Sequence, residues 1–384
     1  MKIKLGVIFG GKTVEHEISV ISAVQAMEYM DTEKYEIIPI YITKDLEWFT
    51  GPMLMDIESY KDFSLIKKYA KKVNLINKKG RFVLQTTGLI KHELTEIHLA
   101  FPMVHGAGIE DGVIQGYLQM IGIPFVGNNI YSAVVSQDKI LSKQILEFNN
   151  LPIPKYVWFF DNDYYKDKET LFKKIDKLEY PLIIKPATLG SSVGIEVINR
   201  KEELDSTIEK VLRYDRKIII EEKIKDFLEY NISVLKTNDK LMLSAIEECI
   251  VDREYKVFSD NYLTKSEEDN KVKKICPAKL DEKMESDIKK MASDAVSLFN
   301  NTGICRVDFL YDKKDKKLYV NEVENIPLCF SHHLWEEVNI SYKELLNILI
   351  EDTIKNINKS SEKITTMDNN ILKCLTTKDI REMK

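Results

Sequence analysis

The opening stretch of the chain constrains its fold more than any other. Residues 2–9 form a nearly unbroken apolar run that ends at Gly10-Gly11. A helical pattern follows from Ser19 to Met30, and a second apolar run covers Ile37 to Ile42. Two strands apolar on both faces, joined through a glycine turn and a helix, predict the start of a parallel α/β unit. The chain has 384 residues, 44% hydrophobic and 30% charged, enough for a large core divided over two or three domains.

Composition excludes several classes. No run approaches the roughly 18 apolar residues of a membrane span. The N-terminus enters the strand pattern directly, without a signal-type apolar segment. Net charge is −5 with Lys and Arg dispersed, which argues against nucleic acid as a partner. Five widely spaced cysteines form no CxxC pair, so neither a disulfide framework nor a zinc knuckle is indicated. A cytoplasmic protein is expected.

Further along, residues 51–95 are Lys-rich and show no clear period. A strand at Ile97–Val104 leads into His105-Gly106-Ala107-Gly108-Ile109-Glu110-Asp111-Gly112, where Asp111 is placed to cap a helix with Val113, Ile114, Tyr117, Leu118 and Ile121 on its apolar face. Asp138 opens a helix through Phe148. The strand 181–186 ends in a Gly/Ser loop, Ala187–Gly194, followed by strands at Ile195–Ile198 and Lys217–Glu222. Glu229–Leu235 and Leu241–Cys249 read as an antiparallel pair, and the charged stretch 252–274 as a mobile lid. A helix at Asp281–Asn300, strands at Ile304–Tyr311 and Lys317–Val323, and a helix from Tyr342 to about Lys355 complete the chain, with a polar tail behind them. The expected division is 1–130, 131–222, 223–355 and a tail at 356–384.

Chemistry concentrates in a few places. Arg306 and Asp308 share one strand face, as do Glu322 and Glu324. Pairing of these strands through the short turn 312–316 would gather three carboxylates and a guanidinium. Such oxygens suit Mg²⁺; ordinary charges on a solvated face are the equally open alternative. Lys185 ends a strand just before the Gly/Ser loop, whose backbone N–H groups could cradle phosphate, although such loops are more often plain hairpins. Glu222 and Glu229 flank a turn and could meet ribose or merely solvent. His105, before a glycine, could orient a substrate or serve packing. The adjacent His332 and His333, read as strand residues facing opposite ways, are discounted as a metal pair.

Separately these signals are weak, but their order is specific. Gly10-Gly11-Lys12-Thr13-Val14-Glu15-His16-Glu17-Ile18-Ser19, His105-Gly106 through Glu110-Asp111-Gly112 and Gln115-Gly116, Asp138-Lys139, Lys185-Pro186, Gly190-Ser191-Ser192-Val193-Gly194, Cys276-Pro277-Ala278, Arg306-Val307-Asp308 and Asn321-Glu322 resemble, in sequence order, the motifs of the D-alanine–D-alanine ligase family of ATP-grasp enzymes. The resemblance covers about residues 1–355. It implies an α/β protein with an N-terminal parallel domain and an ATP-grasp fold. It implies a C–N ligase using ATP with Mg²⁺ or Mn²⁺, acting on small amino acids, with a homodimer left open. By the same resemblance, Glu15 would hold the first amino acid's ammonium and His105 would lie near its carboxylate. Lys139 and Lys185 would contact phosphates. Gly190 and Ser192 belong to the loop closing over the γ-phosphate, and Ser191 to the network orienting the substrates. Glu222 and Glu229 would sit by adenine and ribose, Asp308, Glu322 and Glu324 would hold the metal, and Arg306 would stabilise developing negative charge.

Four positions depart from the family. Glu324 replaces an asparagine of the metal motif, and Leu328 replaces a glycine, adding bulk and restricting φ. His333 stands where a serine would receive the second amino acid's carboxylate. The lid tyrosine has no clear counterpart, with Thr264 or Lys265 nearest its place. These changes predict a kept ATP and metal apparatus and a rebuilt acceptor pocket. Three readings follow: D-Ala–D-Ala synthesis for peptidoglycan, a specialised amino-acid or peptide ligase, or a nucleotide-binding regulator without turnover.

Overall fold

Strand β1 (Ile3–Gly10) is buried over most of its length and runs parallel to β2 (Tyr35–Ile42), in register from Ile3 with Tyr35 to Gly10 with Ile42. Helix α1 (His16–Tyr29) joins them, as the opening pattern predicts, but starts at His16 rather than Ser19. The structure is a computed structural model describing residues 2–251, 272–360, 364, 367 and 371–382.

The aperiodic stretch 51–95 contributes helix α2 (Phe63–Tyr69) and most of an antiparallel extension of the first sheet. Its strands are β4 (Lys71–Lys78), β5 (Arg81–Thr86) and β6 (Glu93–Ile97), entered through β3 (Trp48–Thr50). Only Val73 and Leu75 of β4 are fully buried, so its hydrophobic alternation is too short to read among the lysines. With β7 (Leu99–Pro102) the sheet has order β6-β5-β4-β3-β2-β1-β7. Helix α3 (Val113–Ile121) is not capped by Asp111: Gly112, at φ 95°, is the N-cap, and Asp111 Oδ2 instead accepts from Gly108 N at 2.8 Å. Val113 is exposed, not part of the apolar face.

Helices α4 (Ile130–Gln137) and α5 (Lys139–Phe148) follow, and Asp138 caps α5 as expected, accepting from Ile140 N and Leu141 N. A four-stranded antiparallel sheet then forms from β8 (Tyr156–Phe160), β9 (Leu182–Pro186), β10 (Glu196–Ile198) and β11 (Lys217–Glu222), in order β10-β9-β11-β8. Helices α6 (Asp161–Lys166), α7 (Lys168–Ile175) and α8 (Leu204–Val211) join these strands, and their apolar residues share one core with the sheet.

The third sheet has order β14-β13-β12-β15-β16, built from β12 (Phe227–Lys236), β13 (Leu241–Val251), β14 (Val272–Ile275), β15 (Gly303–Asp312) and β16 (Lys317–Glu324). Helix α9 (Glu282–Leu298), with Asp281 as N-cap, packs on it through Ile288, Ala292, Ala295 and Val296. Of the expected lid, residues 252–271 lie outside the described residues, as do Thr264 and Lys265; residues 272–274 belong to β14, antiparallel to β13.

Helix α10 (His332–Glu336) corrects the strand reading of the two histidines. His332 stacks on Tyr342, with ring centroids 4.5 Å apart, while His333 turns to Glu247. Helix α11 (Tyr342–Ser360) extends beyond Lys355, and Tyr342, Leu345, Leu346, Leu349 and Ile350 join the N-terminal sheet's core. Each such buried leucine contributes roughly 1.5–3 kcal/mol, so the C-terminal helix ties the third sheet to the first domain. Short helices α12 (Ile371–Cys374) and α13 (Thr377–Glu382) lie in the tail.

Candidate active site

The second and third sheets, together with the loops after β1 and β7, line a cavity of about 340 Å³. Thirteen of the residues singled out from the sequence line it: Glu15, His105, Lys139, Lys185, Gly190, Ser191, Ser192, Glu222, Glu229, Arg306, Asp308, Glu322 and Glu324. Leu328 lines it as well; His333 does not.

On the third sheet the register does what the sequence pattern required. Strands β15 and β16 pair Arg306 with Glu324 and Asp308 with Glu322, and β12 places Asn231 opposite Asp308. One oxygen each from Asp308, Glu322 and Glu324 come within 4.8 Å of one another. Arg306 grips Asp308 with two bonds, Nε to Oδ1 at 2.6 Å and Nη2 to Oδ2 at 2.7 Å, and reaches Glu324 Oε1 at 2.7 Å. Burial pushes Glu322 up, yet Lys139, Lys185 and Arg306 outweigh it and hold the carboxyl below its ordinary value. Burial, joined by Asp308, Glu322 and Glu15, pushes Glu324 up to about 8 against the pull of Arg306. One guanidinium thus leaves this set of carboxylates under-compensated. Hard oxygen donors at this spacing, with charge still to be neutralised, fit Mg²⁺ or Mn²⁺.

Facing them, α5 begins at the Gly/Ser loop: Lys139 N donates to Ala187 O at 2.9 Å, and Lys139 Nζ to Leu189 O at 2.7 Å. Lys139 Nζ also lies 3.7 Å from Glu322 Oε2. Lys185 Nζ donates to Glu221 Oε2 at 2.7 Å. Despite burial, Glu221 is held down to about 2 by Lys143 and Lys185. Glu222 Oε1 accepts from Glu179 N at 3.0 Å, and Glu229 looks into the cavity from β12.

The Gly/Ser loop closes on the segment that follows β1. Ser191 Oγ donates to Glu15 Oε1. A Cβ on Gly190 would come 2.9 Å from Glu15 Oε2, and one on Gly106 2.8 Å, so glycine at both places lets the two loops meet the carboxylate. Burial raises Glu15, against Ser191 and Lys139. His105 Nε2 lies 3.1 Å from Ser22 Oγ, and complete burial lowers its imidazole to about 4. A neutral ring here can offer one N–H donor and no charge.

Leu328 also borders the cavity, but its backbone is not left-handed. Cys329, Phe330 and Ser331 take positive φ instead, at 48°, 54° and 50°. Non-glycine residues rarely do so. His333 Nε2 lies 2.8 Å from the buried Glu247 Oε2, and Lys274 Nζ 3.2 Å from Glu247 Oε1.

Sequence reasoning missed Glu110, Glu221, Lys143 and Lys274. Glu110 accepts from Gly106 N at 2.8 Å and Ile326 N at 3.1 Å, tying the His105 loop to the metal-motif strand end. Its signal was its place inside the second motif. Lys143 stands one turn beyond Lys139 on the same helix, the clue that could have found it.

Family models described as D-ala D-ala ligase N-terminus and D-ala D-ala ligase C-terminus match residues 4–128 and 145–351. The chain is 34% identical over 372 residues to a D-alanine–D-alanine ligase of Thermosipho melanesiensis, covering 97% of this chain and 98% of that protein. It is 35% identical over 361 residues to D-alanine–D-alanine ligase B of Clostridium tetani, covering 92% and 94%. Among solved structures, the VanG D-Ala:D-Ser ligase of Enterococcus faecalis superposes with a TM-score of 0.77 at 29% identity, covering 92% of this chain and all of that one. The D-alanine–D-alanine ligase of Coxiella burnetii gives 0.79 at 25%, covering 94% and 96%. On sequence over nearly its full length and on fold, this chain belongs to the D-alanine–D-alanine ligase family.

Proposed function

We propose that the protein joins two amino acids at the expense of ATP, with D-alanine as first substrate and an acceptor pocket altered from that of its relatives. The observation that carries this reading is the meeting, in one cavity, of the carboxylates of Asp308, Glu322 and Glu324, the ammoniums of Lys139 and Lys185, and the Glu15–Ser191 contact. A carboxylate is a poor electrophile, so the first amino acid attacks the γ-phosphorus of ATP and becomes an acyl phosphate, releasing ADP. The second amine then attacks the acyl carbon, and phosphate leaves as the peptide bond forms.

Phosphoryl transfer asks mainly for positioning and charge neutralisation. In this reading Lys139 and Lys185 position phosphates, and the backbone of 187–194 covers them. Glu222 and Glu229 receive the nucleoside, and Glu15 holds the donor's ammonium. Arg306 stabilises the oxyanion of amine attack. Asp308, Glu322 and Glu324 would hold Mg²⁺ or Mn²⁺, which supplies charge neutralisation at the phosphates. Among the described residues no helix is long and apolar enough to cross a membrane. All five cysteines are free thiols, which agrees with a cytoplasmic enzyme.

Leu328 on the cavity wall and His333 turned to Glu247 support an acceptor other than D-alanine, and one solved relative bears the name D-Ala:D-Ser ligase. The test is a mass-spectrometric product screen with ATP, Mg²⁺ and pools of D- and L-amino acids. A D-alanine-containing dipeptide formed with stoichiometric ADP supports the reading. Nucleotide binding without amino-acid-dependent ADP release would instead mark a regulator.

A further inference from the structure

Lys143 is 1% exposed, one helical turn beyond Lys139. A lysine at that depth is unfavourable unless its charge is answered. Its Nζ lies 3.1 Å from Glu221 Oε1, while the other oxygen of Glu221 accepts from Lys185 Nζ at 2.7 Å. Lys185 and Glu221 line the cavity; Lys143 sits behind them. Neither Lys143 Nζ nor Glu221 Oε1 has an aligned hydrogen bond, so their attraction is ionic. Two ammoniums therefore share one carboxylate, so Glu221 does not neutralise Lys185 alone, and the Lys185 ammonium faces the cavity within the field of Glu322.

We infer that Lys143 is a positioning residue for the nucleotide: by taking half of the charge of Glu221, it keeps the ammonium of Lys185 available to an ATP phosphate that Lys143 itself never touches. Without Lys143, Glu221 has a single cation to satisfy it, and Lys185 becomes the closed half of a neutral buried pair. Removing both charges together restores the balance. A role in packing alone predicts the opposite, since two substitutions in one buried cluster would then disturb it more than one. The argument rests on the reading that this cavity binds ATP.

The test is ATP binding by calorimetry in the parent, Lys143→Met, Lys143→Arg and the double variant Lys143→Met/Glu221→Gln, each with its thermal midpoint recorded. Lys143→Met is expected to raise the Kd for ATP about tenfold, and the double variant to return it to within about threefold of the parent. Lys143→Arg, which keeps the charge, should also stay within about threefold. A Lys143→Met protein that binds ATP like the parent, or a double variant no better than the single one, overturns the inference. If Lys143→Met does not fold, the double variant decides: ATP affinity near the parent's supports the inference, and a folded double variant without ATP binding overturns it. A parent that binds no ATP overturns the proposed function and this inference with it.

Discussion

Two regions of the molecule, the charged cluster in the cavity and the turn that follows Pro327, are built on different principles. Around the proposed nucleotide and metal site, opposite charges interlock: Arg306 with Asp308 and Glu324, Lys185 with Glu221, and Glu221 with Lys143. Around the proposed acceptor pocket the wall is a leucine, three left-handed residues follow it, and His333, outside the cavity lining, is drawn onto Glu247. Burial would raise Glu247, yet His333 and Lys274 bring it down to about 2. Charge balance among buried and half-buried ions tolerates little change, because a single lost partner leaves an uncompensated ion. A pocket that selects by shape can be rebuilt one side chain at a time. Substitution is therefore expected to cripple the chemical step but only to redirect the choice of acceptor.

The largest effect should come from the metal carboxylates. Asp308→Asn keeps the shape but removes a charge and unbalances Arg306, and ADP release at saturating substrates should fall roughly a thousandfold. A rate within tenfold of the parent at high Mg²⁺ would break the comparison at its stronger end.

His105, which shares Ser22 Oγ with Cys329 N, sharpens the contrast through stability. Unfolded, its imidazole takes a proton near its ordinary value of 6.5; folded, burial delays this to about 4. Between those values the unfolded chain binds more protons, so stability contributed by neutral His105 is present above pH 6.5 and lost as pH falls towards 4. The full shift is worth roughly 3 kcal/mol. Denaturant midpoints should decline across this window, and His105→Asn should flatten the decline. An unaltered slope in the variant would show that His105 is not the group responsible.

How much of this was legible in the sequence follows the same division. The Asp308–Glu322 and Arg306–Glu324 pairing could be read because strand alternation and a short turn fix which side chains meet. The β1–α1–β2 unit could be read because two-sided burial leaves a continuous apolar signal. The strands of 71–97 could not, since their buried positions are few among lysines. Lys143 and Glu221 were hidden because a buried ion pair between helix and strand looks, in sequence, like two surface charges. The left-handed run from Cys329 to Ser331 left no mark in the sequence, as turn geometry is set by tertiary contacts such as that of Cys329 N with Ser22 Oγ.

Lys185→Ala tests the proposed nucleotide site more gently than loss of a proposed metal ligand. A charge-assisted phosphate contact is worth roughly 1.5–3 kcal/mol, so calorimetry should show ATP binding weakened by one to two orders of magnitude. Lys139→Ala should behave alike, less strongly, because Lys139 also serves Leu189 O and Glu322. ATP binding unchanged in Lys185→Ala would remove the phosphate assignment.

The smallest effect, and the most informative about the acceptor, belongs to Leu328. Its side chain borders the cavity just past Glu324, where the family resemblance leads one to expect a glycine. Because Leu328 is not itself left-handed, glycine there relieves no backbone strain; it removes bulk and loosens the turn, at a stability cost of about 0.5–1 kcal/mol. Steric misfit in a packed site costs roughly 1–3 kcal/mol, and a wall side chain with solvent beside it should lie near the lower bound. Leu328→Gly is thus expected to raise kcat/KM for D-alanine as acceptor about tenfold relative to the parent's preferred acceptor, with the KM for ATP unmoved. Competition between D-alanine and that acceptor, read by product mass, measures the ratio directly. Efficient D-Ala–D-Ala formation by the parent would show that Leu328 excludes nothing. A ratio unchanged in Leu328→Gly would move acceptor selection to His333, Glu247 and Lys274.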